Sequence, residues 1–164
     1  MKRIGLITDT PGLLDERVYK YFQNVDEIWH AGDWGSMEVV EKLQAFKPVR
    51  GVYGNIDGQE IRTIFPKHLR FMCEDVEVWL THIGGYPGKY DANVKPDIFN
   101  NPPKLFVCGH SHILKVQYDK MLDLFHLNSG AAGKYGFHQI QTIIRFEIDG
   151  RNIQNLEVIE LNPV

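Results

Sequence analysis

Apolar positions in the first third of the chain alternate between two periods. Arg3 to Thr8 is a short, nearly unbroken apolar run of the kind that forms a buried strand, and Asp9-Thr10-Pro11-Gly12 ends it in a turn. From Leu13 to Phe22 the period changes. Leu14, Val18 and Phe22 fall at i, i+4 and i+8 with charges elsewhere, which predicts a helix. Asp26 to Trp29 reads as a second strand, running into His30-Ala31-Gly32-Asp33. Ser36 is a natural N-cap for a helix over Met37 to Phe46, whose stripe is Val39, Val40, Leu43 and Phe46. A third strand, Val49 to Tyr53, leads into Gly54-Asn55-Ile56-Asp57-Gly58. The order β-α-β-α-β predicts parallel strands joined by right-handed crossovers.

Beyond Lys67 the pattern changes. Leu69 to Cys73 and Val76 to Leu80 flank Glu74-Asp75 as a hairpin, and the second arm ends at Thr81-His82. A loop rich in Gly, Pro and Tyr spans Ile83 to Asn93, with one helical turn near Asp97 to Asn100. Lys104 to Val107 is a strand running into Cys108-Gly109-His110-Ser111-His112. Three strands then meander, Leu114 to Tyr118, Leu122 to Leu127 and Ile140 to Ile148. Asp149-Gly150 predicts a type I′ turn into a last strand, Ile153 to Leu161. The expectation is a parallel half followed by a largely antiparallel one, in a single domain.

Composition narrows the function classes. A chain of 164 residues buries roughly 70% of its unfolded surface without covalent help. Net charge is −3, and no basic block exceeds Lys67-His68-Leu69-Arg70, which argues against an extended nucleic-acid surface but not against a nucleotide as a small substrate. Cys73 and Cys108 form no Cys-x-x-Cys pattern and read as buried small residues. The apolar run after Met1-Lys2 is too short for a signal segment or a membrane span, so a cytoplasmic protein is expected. Self-association is left open.

The chemistry gathers where strands end. His110 and His112 are one residue apart, a spacing that puts both imidazoles on one face of extended chain, and Gly109 permits a turn or a close approach. Asp9, Asp33, Asn55 and His82 each close an earlier apolar strand. Taken singly, Asp9 and Asp33 fit helix caps, Asn55 a turn, and His82 a half-buried histidine. Jointly they predict convergence, because ligands of open α/β sheets bind in the crevice outside the carboxyl ends of the strands. Oxygen and nitrogen donors without thiolate suit a first-row divalent ion. Six donors exceed the needs of one open site, so two ions sharing a carboxylate are expected.

These residues resemble the calcineurin-like metallophosphoesterase superfamily, in its small single-domain YfcE-type phosphodiesterase branch. Asp9-Thr10-Pro11, Gly32-Asp33, Gly54-Asn55, Thr81-His82 and Gly109-His110-Ser111-His112 follow the family's motif order, and Asn128-Ser129-Gly130-Ala131 resembles the segment that comes next. The resemblance implies a four-layer α/β/β/α sandwich of two mixed β-sheets flanked by helices. It implies one metal on Asp9, Asp33 and His112 and a second on Asp33, Asn55, His82 and His110, with manganese first among nickel, iron and zinc. Asp33 would bridge the two ions, while Asn55 and His110 would also orient the phosphate of a small phosphodiester substrate. Trp34, Tyr86, Lys89 and Phe137 lie on flanking loops as candidate substrate contacts, although packing is the plainer role for the aromatics. His30, just ahead of Gly32-Asp33, reads equally as a support for a ligand or as a core histidine.

Two positions depart from the family. Pro11 stands where the family has a metal-binding histidine, so the first metal site is expected to be weak or empty. Ile56 stands where larger members carry a histidine usable as a general acid. The alternative is a scaffold with a degraded site, like the retromer small subunit, and a third reading is a hydrolase using only the second metal.

Overall fold

The computed structural model describes residues 1–133 and 140–161. The first sheet is built from β1 (Lys2–Ile7), β2 (Glu27–His30), β3 (Val49–Gly51), β11 (Thr142–Asp149) and β12 (Asn152–Glu160) in the order β12-β11-β1-β2-β3. The second holds β4 (His68–Cys73), β5 (Val76–Thr81), β8 (Leu105–Val107), β9 (Lys115–Asp119) and β10 (Leu124–Asn128) in the order β4-β5-β8-β10-β9. A two-strand ribbon, β6 (Gly85–Tyr86) and β7 (Lys89–Tyr90), stands apart. The helices are α1 (Arg17–Tyr21), α2 (Met37–Phe46), α3 (Gln59–Ile64) and α4 (Lys95–Asn100).

Three apolar interlayers make the four-layer sandwich that the family resemblance implies. Val18, Phe22, Val39, Val40, Leu43 and Ile61 cover the outer face of the first sheet, where Ile7, Ile28 and Ile143 point. Alternate residues point the other way. Ile4, Leu6, Trp29, Ile144 and Phe146 meet Val78, Leu80, Leu105, Val107 and Leu127 of the second sheet. Trp79, Phe106, Cys108 and Leu124 lie beneath Val94 and Ile98, which close the far side. Both cysteines are buried free thiols, and burial pushes the Cys108 thiol up to about 12.

The first half follows the periodicity, with β1–β2 and β2–β3 both parallel. Helix α2 matches its predicted bounds, and Ser36 Oγ accepts from Val39 N–H. Helix α1 is shorter than its stripe suggests. The Asp15 carboxylate takes the Arg17 N–H at 2.9 Å and its guanidinium at 3.0 and 2.7 Å, a local bond that competes with a first helical turn. Leu14 is buried nonetheless.

The second half differs more. β5–β8 and β8–β10 pair in parallel, so the expected antiparallel meander is confined to β9–β10, and β11 crosses to the first sheet to pair with β1. The two residues between Asp149 and Asn152 are Gly150 and Arg151, and of these only Gly150 has positive φ, at 61°. That excludes the type I′ turn, which needs both central residues there.

Gly5 lies under the Phe22 ring, which an added Cβ would meet at 2.9 Å. Gly5→Ala is therefore expected to destabilise the fold by about 1–3 kcal/mol through overpacking. Urea unfolding reads this as a lowered midpoint, and an unchanged midpoint would mean that the ring steps aside freely.

Candidate metal centre

Loops following five strands, three in one sheet and two in the other, meet at one rim. Their backbones are unusual. Asp9, Asp33, His110 and His112 have φ of 53°, 61°, 70° and 61°, in the left-handed region that residues with a Cβ seldom occupy. Such conformations persist only where the surroundings enforce them, and they concentrate at functional sites. Two motif glycines are needed for space rather than for φ. A Cβ on Gly54 would strike the Asp33 carboxylate, and one on Gly109 would strike Thr8 Oγ1.

Three buried polar side chains enforce the loops. Asp57 accepts the Asp33 N–H (3.0 Å) and the Gly54 N–H (2.8 Å) at Oδ2 and the Gly35 N–H (3.0 Å) at Oδ1, tying the second loop to the third. Its only signal in the sequence is a place in an Asn55-Ile56-Asp57-Gly58 turn, and sequence reasoning gave it no role. Asn128 donates to Gly109 O and Ser111 Oγ and accepts from Gly130 N–H, which pins the Gly109–His112 loop. His30 accepts the Gly32 N–H at Nδ1 (3.0 Å), so Nε2 carries the proton toward Thr10 Oγ1 (2.9 Å). Burial lowers its pKa to about 3, which keeps it neutral in this support role.

The six candidate ligands are brought together. His82 Nδ1 is 2.7 Å from the Ala31 carbonyl, which can only accept, so that nitrogen carries the proton and Nε2 presents its lone pair inward. Around Nε2 stand Asn55 Oδ1 at 3.0 Å, Asp33 Oδ2 at 3.1 Å and Asp9 Oδ1 at 3.9 Å. His110 Nδ1 is 3.1 Å from the same Asn55 oxygen. His112 Nε2 is 3.3 Å from Asp9 Oδ1. The outer carboxylate oxygens are held from behind, Asp33 Oδ1 by Ile56 N–H and Asp9 Oδ2 by Thr8 Oγ1 and His110 N–H.

Electron-pair donors facing one another at such distances require a proton or a cation between them. Asp9 Oδ1 is fully buried and receives no hydrogen bond among the described residues, although two imidazoles stand near it. An orphaned buried carboxylate oxygen is costly, and a metal ion would satisfy it. Asp33, His82 and His110 supply ligand atoms that all lie within 4.8 Å of one another, the one such group of three among the described residues. The donors therefore fit a divalent cation, and most closely on the side of Asp33, Asn55, His82 and His110. Pro11 offers no donor on the side of Asp9 and His112, and its ring packs against Gly133.

Protons substitute where a cation does not. Burial on its own would lower the His82 pKa, but Asp33 and Asp9 outweigh it and raise it above the usual 6.5. The Asp9 carboxylate close beside it raises that of His112 as well, against a smaller effect of burial. Burial would raise the Asp33 pKa, yet its bond to His82 holds the carboxyl below its ordinary value.

Residues 1–151 match the model of the calcineurin-like phosphoesterase superfamily domain. The chain belongs to that superfamily. A probable metallophosphoesterase of Methanothermobacter thermautotrophicus is 29% identical over 134 residues, 78% of this chain and 76% of that protein. An archaeal phosphodiesterase superimposes with a TM-score of 0.77 at 20% identity, covering 97% of this chain and 99% of that one. Vps29 from Chaetomium thermophilum superimposes at 0.78 and 12% identity, covering 98% and 97%. At these identities the two structures establish the fold alone, whereas the family implies divalent metal ions.

The candidate substrate contacts fare differently. Trp34 is fully buried, stacked 3.8 Å from His30 and 4.4 Å from Phe65, and its Nε1–H donates to Val52 O. It is a core residue, out of reach of substrate. Lys89 lines a groove with Tyr90, Lys95 and Phe99 that contains none of the six ligands. Tyr86 lies on the same ribbon beneath Lys115 Nζ, 4.2 Å from its ring. Tyr90 of the ribbon packs on the far face of the second sheet. Phe137 lies outside the described residues.

Two predictions follow from this geometry. Asp57→Ala leaves three N–H groups without their acceptor and is expected to weaken manganese binding about 10–100-fold, as loss of a ligand's support does elsewhere. Calorimetric titration reads the change, and an unaltered affinity contradicts the role given to Asp57. The second concerns pH. Raised imidazole pKa values mean that protonated His82 and His112 stabilise the metal-free fold below about pH 6.5, and that this contribution is lost as pH rises through their folded values. Metal must displace those protons, so binding at pH 6.5 releases protons and weakens on acidification. Titration in buffers of different ionisation enthalpy measures the release, and its absence would contradict the assignment.

Proposed function

We propose that the protein is a metal-dependent hydrolase of small phosphodiesters, with monoesters the lesser candidates. The reading is carried chiefly by the meeting of Asp33, Asn55, His82 and His110 from both sheets, with separations of 3.0 and 3.1 Å around His82 Nε2 and 3.1 Å between His110 and Asn55. These four residues would hold one divalent ion. Asp9, Asp33 and His112 would hold another, with Asp33 shared. Oxygen and imidazole donors suit manganese first, then nickel, iron or zinc. Bound ions of this kind lower the pKa of water from 15.7 to about 7 and neutralise phosphoryl oxygens during an in-line displacement.

The chain supplies orientation. The second hydrogen bonds at His82 Nδ1, Asp33 Oδ1 and Asp9 Oδ2 fix which atom each residue presents. Asn55 and His110 face the rim, where they orient the phosphate as well as contribute ligand atoms. Ile56 is exposed and has no proton to give, so solvent must protonate the departing oxygen and esters with good leaving groups react best. Pro11 leaves the Asp9–His112 side with one donor fewer, which supports weaker binding there.

Pro11 also favours the second reading, a scaffold with a weakened site, to which the Vps29 likeness of the fold belongs. The test is hydrolysis of bis-p-nitrophenyl phosphate with added manganese. Turnover is expected from the wild type, loss of at least about 100-fold in Asp33→Ala, and higher metal content or rate in Pro11→His. Inactivity with every divalent metal, together with no effect of Asp33→Ala on metal content, would establish the scaffold instead.

A further inference from the structure

Beside the metal centre lies a cavity of about 220 Å³ that the roles above leave unused. Asn55 and His82 line it together with Tyr53, Arg62 and Lys67. It is smaller than the ~300–1,000 Å³ of pockets that enclose a whole ligand, so it accommodates one part of a substrate whose reacting part sits at the metals.

The cavity is positively charged and braced. Arg62 comes from α3, its Nε donating to Asp57 O at 2.6 Å and one terminal nitrogen to Asn55 O at 3.3 Å. Its guanidinium lies 4.5 Å over the Tyr53 ring. The other terminal nitrogen makes no hydrogen bond among the described residues, so a donor in fixed orientation remains for a ligand. Lys67 sits where the chain passes between the sheets. Tyr53 N–H donates to Pro66 O, and Thr81 Oγ1 donates to Lys67 O. Among the described residues neither cation has a carboxylate within 4 Å. Asp33, Asp9 and Asp57 are committed to the metal centre and its loops. Asp91, whose carboxyl is held below its usual value chiefly by Asn93 and least by Lys67, is occupied by Asn93 N–H and Nδ2 at 2.9 and 2.6 Å. Two cations without a carboxylate partner among the described residues, in a chain of net charge −3 and beside the metal centre, present the charge an anion would need.

We infer that the substrate carries a second anionic group, phosphate or carboxylate, a short distance from the scissile phosphoester, and that Arg62 and Lys67 bind it in this cavity. The inference rests on the phosphoesterase reading and names the substrate class of that site. Arg62 discriminates geometrically, since a planar fork matches a carboxylate or phosphate edge, while Lys67 adds a point charge.

The experiment compares three p-nitrophenyl phosphodiesters on the manganese-loaded enzyme, whose other ester arm is methyl, 2-carboxyethyl or 2-phosphoethyl. The wild type is expected to favour an anionic arm over methyl by about five- to tenfold in kcat/KM, the effect of one or two exposed ion pairs. The phosphate and carboxylate arms identify which anion is preferred. Lys67→Met should erase most of that ratio through KM, Lys67→Arg should retain it, and Arg62→Lys should reduce it. Equal kcat/KM for all three arms, or a ratio that survives Lys67→Met, overturns the inference. Should no ester turn over, the hydrolase reading fails alone, and binding of 3-phosphonopropionate against methylphosphonate decides the cavity. Tighter binding of the former that Lys67→Met abolishes supports it, and equal binding in both proteins overturns it.

Discussion

Mutual repulsion among electron-pair donors is the constraint on which the rest of this structure depends. Asp9, Asp33, Asn55, His82, His110 and His112 come from strand ends in two different sheets, and nothing in their own chemistry draws them together. Two carboxylates and an amide oxygen facing imidazole nitrogens at 3.0 to 3.9 Å are stable only with positive charge among them. The fold supplies the energy to assemble them through its three apolar interlayers. The raised imidazole pKa values of His82 and His112 are the trace of that imposed proximity when protons are the available positive charge.

Holding such a set requires rigid backing. Asp57, Asn128 and His30 are each buried, each bonded to loop backbone, and each one remove from the centre. They let four ligands remain in the left-handed region, a conformation the loops would otherwise leave. The bonds also link the two sheets' loops, since His82 of the second sheet's rim donates to Ala31 of the first. Geometry at the rim is thus a property of the sandwich as a whole, and substitutions in the interlayers reach it through the strands that end there.

Much of this was legible in the chain. The helix Met37–Phe46 was readable to the residue because a capping serine and a regular stripe agree, and the ligands were readable because each follows an apolar run. What escaped has physical causes. Helix α3 has only Ile61 buried within it, too little periodicity to register. The Asp15–Arg17 bond that shortens α1 is local chemistry beneath a helical pattern. Parallel pairing of β8 with β5 and β10 cannot be told from a meander when every strand is simply short and apolar. Trp34 next to Asp33 suggested a substrate contact, but stacking between His30 and Phe65 takes it into the core. Asp57 carried no signal beyond its place in a turn, because its role is to accept bonds from backbone that the sequence does not display.

Pro11 divides the centre into a well-furnished side and a poorer one, and the chemistry open to the protein depends on whether the well-furnished side takes metal. The most direct measurement is anomalous scattering from crystals grown with manganese. The account predicts a strong peak in contact with Asp33, Asn55, His82 and His110, and a weaker one toward Asp9 and His112. A map with no peak among these side chains, or with manganese bound elsewhere on the surface, would contradict it.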